Sequence, residues 1–127
     1  MMIRQEINQT AVGEFAKTSP ETGSQNFHPK AGFVGFDGHF PDYPILPAML
    51  QILFGIVVAE KILETDLVMK KLDKAKFMAQ VKPDEIINVS CRISRPAGDW
   101  KSDIQAKITI TAAEKKVATL TLWLEPS

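Results

Sequence analysis

The sequence predicts an α+β fold in which a curved antiparallel sheet wraps around one long apolar helix. Apolar residues follow Pro47 on nearly every side of a helical projection as far as Leu63, and a helix that is apolar all round belongs in a core. From Leu72 onward apolar residues recur at every second position, which is typical of strands with one buried face. At 127 residues the chain has the size of one ordinary domain, so we expect a single domain over residues 1–127.

The N-terminal region has a weaker pattern than the rest of the chain. Its apolar residues are irregularly spaced and allow one or two short strands: Ile3, Ile7, Val12 and Phe15. Residues 18–25 (TSPETGSQ) are rich in turn-forming side chains and predict a loop. The apolar segment at 31–36 (AGFVGF) is compatible with a short strand or with a loop that lines a cavity.

Four strands are predicted in the second half of the chain, at about residues 72–81, 87–94, 104–111 and 118–124. Because short segments join the last three, these strands favour an antiparallel meander. Cys91 alternates inward on the second of the four, so we interpret it as a small buried apolar side chain rather than as a nucleophile.

Composition and charge argue against several classes of function. Fifteen basic and fifteen acidic side chains give a formal net charge of zero, so no overall positive field attracts nucleic acid or an anionic membrane. One cysteine excludes an internal disulfide, and two histidines add too few ligands for a Cys/His zinc site. The N-terminus shows no export signal, and the apolar run at 52–59 is about half of the ~20 residues that a membrane span needs. We therefore expect a cytoplasmic protein with no metal site and no nucleic-acid or membrane partner.

The segment at 37–47 combines three prolines with a histidine. Pro41, Pro44 and Pro47 have a fixed φ and no N–H, so they predict an ordered extended loop, and Pro47 is well placed to open the helix. His39 lies in this loop and belongs to the side-chain type that exchanges protons near neutral pH. The first N–H groups of the helix have no partner inside it and can stabilise negative charge.

Residues 38–50 read GHFPDYPILPAML. This stretch resembles the GHFPxxPxxPG signature of the 3-hydroxyacyl-acyl-carrier-protein dehydratases of the FabZ and FabA type, matching at Gly38, His39, Phe40, Pro41, Pro44 and Pro47. A second likeness, to I-D-x-A-x-F followed by V-x-P-G-D, lies at 72–77 and 81–83, so the resemblance covers roughly residues 27–125. It implies the hot-dog fold, a homodimer or larger assembly of dimers, and a role in fatty-acid or related acyl-chain biosynthesis. It also implies no resident cofactor, because the acyl chain arrives as a thioester on phosphopantetheine, carried by acyl carrier protein or coenzyme A.

The resemblance implies roles for individual residues as well. Dehydration removes a proton beside the thioester carbonyl and protonates the departing hydroxyl, so His39 would serve as the catalytic base and as an acid. The amide of Ala48, whose family counterpart is the glycine that closes the motif, would donate to the thioester oxygen. The further substrate-binding residues would be Phe36, Phe40, Pro47 and Leu53.

One position departs from the family pattern. The family carries a Glu or Asp fourteen residues after the motif histidine, where it donates a proton to the leaving hydroxyl across the dimer interface; this chain has Leu53 there. Losing a positioned proton donor typically costs about 10²-fold to 10⁴-fold in rate. Gln51 can hydrogen-bond but hardly exchange a proton, and Glu60 lies about two turns, ~11 Å, beyond Leu53. Asp37 and Asp42 either orient the imidazole or form turns.

The leucine leaves two alternatives to a dehydratase. An acyl-thioesterase on the same fold would need a polar group to direct water, and the helix offers none that is evident. A non-catalytic subunit that binds an acyl chain or acyl carrier protein is favoured by Leu53, because an active partner would then supply the acid. His28 lies outside the motif and is interpreted as a surface or loop residue.

Overall fold

The computed structural model describes residues 3–30, 33, 46–95 and 104–127. These residues form two helices and six strands. In chain order the elements are α1 (Ile3–Gln9), β1 (Ala11–Ser19), β2 (Thr22–Phe27), α2 (Ala48–Leu63), β3 (Leu67–Phe77), β4 (Ile87–Ser94), β5 (Ile104–Ala112) and β6 (Lys115–Pro126).

The six strands form one antiparallel sheet in the order β1-β2-β4-β5-β6-β3. The predicted meander is confirmed in β4, β5 and β6, where Cys91 pairs with Ile108 and Ile108 pairs with Leu120. All three residues are buried, because side chains at paired positions project from the same face of a sheet. β3 does not pair with its sequence neighbour β4 but with β6, and so forms one edge of the sheet.

Helix α2 packs against the face of the sheet that carries these buried side chains, which we call the inner face. The helix has 16 residues, of which nine are buried. The prediction of an apolar core helix is confirmed. The helix approaches the sheet closely at Gly55, where a Cβ would lie only 2.5 Å from Cδ1 of Ile108. The helix ends at Glu64, which adopts the left-handed conformation and donates its N–H to the carbonyl of Glu60.

The predicted N-terminal strand is confirmed at Val12 and Phe15, which lie on β1, but the N-terminal prediction was wrong in two other respects. Residues 3–9 form a helix rather than a strand, and residues 18–25 are not a loop but the hairpin between β1 and β2. Strand β2 is polar and buries the side chain of Gln25. This burial is compensated by hydrogen bonds, because Nε2 of Gln25 donates to the carbonyls of Val12, Gly13 and Asn26. A pattern of apolar residues cannot reveal such a strand.

Two other boundaries differ from the prediction. β3 begins five residues earlier than Leu72 and ends at Phe77, so residues 79–81 lie beyond the strand. Within the segment at 31–36, the structure describes Phe33. This residue is buried, and its ring centroid lies 6.0 Å from that of Phe54. The α+β fold class, with a curved sheet packed on an apolar helix, is confirmed.

Candidate functional site

The start of α2 presents free hydrogen-bond donors. Pro47 precedes the helix in an extended conformation, with φ −63° and ψ 153°, and its carbonyl accepts the N–H groups of Leu50 and Gln51. No side chain among the described residues caps the helix. Within the described part of the chain, the amides of Ala48 and Met49 donate to no acceptor. They are therefore available to an acceptor on a ligand, and the helix dipole favours negative charge at this point.

The chain entering α2 is held in place from two sides. The N–H of Leu46 donates to the carbonyl of Val81 at 2.8 Å, which ties the helix start to the segment after β3. The carbonyl of Leu46 accepts a hydrogen bond from Nε2 of Gln51 at 3.2 Å. Leu46 and Val81 are both buried, so these bonds fix the direction in which the first amides of the helix point.

A cavity of about 300 Å³ lies at this helix start. Its described walls come from the helix entry and from the end of β3 with the residues after it: Leu46, Pro47, Ala48, Gln51, Phe77, Ala79 and Gln80. Most of these side chains are apolar, and the polar exceptions are the two glutamines. Such a cavity suits an apolar chain with a few polar groups, which the glutamines and the free amides can bind.

The predicted site residues divide into three groups. His39, Phe36 and Phe40 lie outside the described residues, as do Asp37 and Asp42, so their roles stay predictions. Pro47 and Ala48 come together at the cavity. The half-buried Leu53 packs against the core. Phe77 belongs to the second stretch of family likeness, yet sequence reasoning did not identify it as a cavity wall. It also missed the other remaining walls: Leu46, Gln51, Ala79 and Gln80.

Gln51 and Leu53 do not occupy equivalent positions on α2. Two residues along an α-helix correspond to a rotation of about 200°, so these side chains project from nearly opposite sides. Gln51 is buried and lines the cavity. Gln51 therefore cannot take the place of a carboxylate at position 53.

Glu60 is held in a structural network at the other end of α2. Its carboxylate accepts from Nε of Arg4 at 3.1 Å and from the N–H of Leu67 at 2.8 Å. Arg4 also donates through Nη2 to the carbonyl of Leu67 at 2.8 Å. These bonds join α1, α2 and the start of β3, so Glu60 is a structural residue rather than a substitute for the missing acid.

Cys91 and His28 also lie away from the cavity. Burial raises the pKa of the Cys91 thiol to about 12, so at neutral pH it is protonated and unsuited to nucleophilic attack. The interpretation of Cys91 as a buried apolar side chain is confirmed. His28 follows β2 in a loop, where its Nε2 lies 3.1 Å from the carbonyl oxygen of Asp84. None of the helices described is both long and apolar enough to cross a membrane.

Solved structures share the fold of this chain. The dehydratase heterocomplex ApeI:P from Xenorhabdus doucetiae matches with a TM-score of 0.77 and 14% identity, over 91% of this chain and 96% of that one. A hypothetical thioesterase protein with coenzyme A from Streptococcus pneumoniae matches with a TM-score of 0.66 and 11% identity, over 100% and 98% of the two chains. At these identities the likeness concerns the fold alone, and it confirms a hot-dog protein.

The particular family is shown by sequence. The ApeI-like family, described as ApeI dehydratase, matches residues 16–119, which is most of the chain. The chain therefore belongs to the ApeI-like dehydratase family.

Among curated proteins, the 3-hydroxyacyl-[acyl-carrier-protein] dehydratase FabZ of Teredinibacter turnerae is 31% identical over 84 residues, 58% of each chain. The FabZ protein of Natranaerobius thermophilus is 32% identical over 68 residues, 48% of each. This chain thus spans about half the length of the curated relatives that it matches.

Proposed function

We propose that this chain binds 3-hydroxyacyl thioesters at the start of α2 and dehydrates them, with acyl carrier protein or coenzyme A as the carrier. The observation that carries the proposal is the pair of free amides, on Ala48 and Met49, at the mouth of a largely apolar cavity. An acyl thioester offers the matching chemistry, because it joins a carbonyl acceptor to an apolar chain.

The proposed reaction uses the chain's own groups in two steps. The thioester oxygen accepts a hydrogen bond from the Ala48 amide, which stabilises the negative charge that grows there as His39 removes the proton from C2. The C2 electron pair then forms the double bond with C3 as the C3–O bond breaks. Because position 53 holds a leucine, His39 returns its proton to the departing hydroxyl, which leaves as water.

A direct assay follows the conjugated enoyl thioester by its absorbance when purified protein is mixed with 3-hydroxyacyl thioesters. His39→Ala should abolish the signal, and His28→Ala is the matched control because His28 lies in a loop away from the cavity. Activity that survives His39→Ala would contradict the assignment. Release of the free acid instead of an enoyl thioester would identify a thioesterase.

A second candidate function, a partner subunit in a mixed dimer, is favoured by Leu53. An active partner that carries a carboxylate at the corresponding position would supply the acid across the interface, while this chain supplies His39. The solved ApeI:P dehydratase, which is a heterocomplex, offers a precedent on this fold. The partner role predicts that this chain alone has little turnover and that adding a carboxylate-bearing homologue raises the rate above that of either protein alone.

We further propose that β3 pairs with a second copy of this chain. Every residue of β3 after Leu67 is exposed, and the strand is a free edge of the sheet. Five of the eight large apolar residues that are exposed in the described part of the chain lie on β3 or directly after it: Val68, Met69, Leu72, Phe77 and Met78. A long apolar edge strand is a template for pairing with another chain.

The direction of these side chains supports the same pairing. Met69, Leu72 and Phe77 share the inner face of the sheet, because their partners on β6 are all buried: Leu124, Leu122 and Ala118. They extend that face beyond the part that α2 covers, which leaves an apolar surface for the second copy. Since Phe77 also lines the cavity, the proposed interface lies beside the proposed site.

Light scattering after size-exclusion chromatography tests the pairing. Leu72→Lys should convert a dimer to a monomer, because it places a charge in the proposed interface. Ile86→Lys is the matched control: Ile86 is 51% exposed but lies outside β3, so that variant should remain dimeric. A monomeric wild-type protein would contradict the proposal.

A further inference from the structure

The side chain of Gln51 has one satisfied and one unsatisfied polar atom. The residue is 3% exposed, and its Nε2 donates to the carbonyl of Leu46 at 3.2 Å. Its Oε1 is buried and accepts no hydrogen bond within the described part of the chain. A buried acceptor without a donor is unfavourable, because it has lost its hydrogen bonds to water and gained none in return.

The bond to Leu46 fixes which end of the amide is unsatisfied. A carbonyl oxygen only accepts hydrogen bonds, so the NH₂ end of Gln51 must face Leu46. The oxygen end is therefore the one that lacks a partner. Whatever completes this site must bring a hydrogen-bond donor, which excludes a purely apolar chain and also excludes a carboxylate.

Gln51 lies close to the free amides along α2. Gln51 lines the cavity together with Ala48, three residues earlier on α2. Residues three apart are neighbours on one helix face, with Cβ atoms about 5–6 Å from each other. A 3-hydroxyacyl thioester has the complementary pair of groups, since its carbonyl accepts and its hydroxyl, on the second carbon beyond, donates.

We propose that Oε1 of Gln51 accepts a hydrogen bond from the 3-hydroxyl of the bound substrate, so that Gln51 selects hydroxylated acyl chains. The inference rests on the proposed function and names the group that recognises the substrate. Gln51 is a positioning residue, because a neutral amide neither takes nor gives a proton in the reaction. The enoyl product has lost the hydroxyl donor and so leaves Gln51 unsatisfied again, which favours its release.

The test compares two pantetheine thioesters of equal chain length, one 3-hydroxyacylated and one saturated, by equilibrium binding to the whole protein. The wild-type protein should bind the hydroxylated thioester about 5-fold to 100-fold more tightly, the range expected for satisfying one buried acceptor. Gln51→Met keeps the length of the side chain but removes the amide, so it should weaken binding of the hydroxylated thioester and leave the saturated one nearly unchanged.

Gln25→Met is the matched control, because Gln25 is the other buried glutamine and its Nε2 makes three hydrogen bonds. That variant should be less stable yet keep the preference for the hydroxylated thioester. Equal binding of both thioesters by the wild-type protein would overturn the role of Gln51 and leave the proposed function standing. Equal weakening of both by Gln51→Met would show that the residue only supports the helix start. Binding of neither would overturn both proposals together.

Discussion

Replacing Glu60 by alanine tests whether this carboxylate holds the fold together or serves as the missing acid. The variant removes the carboxylate that accepts the N–H of the fully buried Leu67. It also removes the ion pair between Glu60 and Arg4. Losing a hydrogen bond to a charged group costs about 1.5–3 kcal/mol. The pair with Arg4 adds only about 0.5–1 kcal/mol, because the Arg4 side chain is 40% exposed and water screens the pair.

The free energy of unfolding should therefore fall by about 2–4 kcal/mol. For a chain of this size each kcal/mol corresponds to roughly 4 °C in Tm, so the midpoint should drop by roughly 8–16 °C. Urea and thermal unfolding monitored by circular dichroism measure both quantities. Glu14→Ala is the matched control, since Glu14 is exposed on β1 and its loss should change stability by no more than about 0.5 kcal/mol.

The turnover per folded molecule decides whether Glu60 serves as the missing acid. If Glu60 is structural, the variant should keep its turnover at a temperature where it is still folded. A Glu60→Ala protein as stable as the wild type but without turnover would refute the reasoning and make Glu60 the acid.

Four further predictions concern α2 and β4. Leu53→Glu should raise dehydratase turnover by about 10²-fold or more, since it restores the family's proton donor; an unchanged rate would contradict the family geometry at this position. Because burial raises the pKa of Cys91 from 9.0 to about 12, the thiol should resist iodoacetamide at mildly alkaline pH until the protein unfolds. Because the unfolded chain releases the thiol proton at a lower pH than the folded one, the raised pKa stabilises the fold below about pH 9, and this contribution is lost as the pH rises toward 12. In Cys91→Ala the free energy of unfolding should therefore depend less on pH in that range. Gly55→Val should lower the free energy of unfolding by about 1–3 kcal/mol, because its Cβ would meet three atoms of Ile108; an unchanged urea midpoint would show that Ile108 can move aside.

The sequence predicted those elements whose burial is carried by apolar side chains. Helix α2 and the meander of β4, β5 and β6 have uninterrupted patterns, so their existence followed from periodicity alone. Strand β2 was missed because it buries Gln25 through hydrogen bonds to β1. Helix α1 was missed because its seven residues include only one buried side chain, Ile7, which is too little for a helical period to emerge.

The candidate site was predictable to a similar extent. The proline pattern located the start of α2, and the family likeness assigned the amide of Ala48. The unsatisfied oxygen of Gln51 was not predictable, because it follows from the carbonyl of Leu46 that occupies the other end of the amide. The structural role of Glu60 depends on Arg4, 56 residues away in sequence, and no local pattern reports such a contact.

If the proposed dimer forms, the opposite directions of Gln51 and Leu53 on α2 predict that it divides its chemistry between the two subunits. If Ala48 and Gln51 serve the site of their own subunit, position 53 faces away from it and serves the site of the partner. We therefore expect a double variant with Leu53→Glu and His39→Ala to be inactive alone, yet to form an active mixed dimer with the wild-type chain. In that dimer the new carboxylate of one subunit meets His39 of the other, at one site per dimer. A mixed dimer no more active than the wild type would show that position 53 does not reach across the interface.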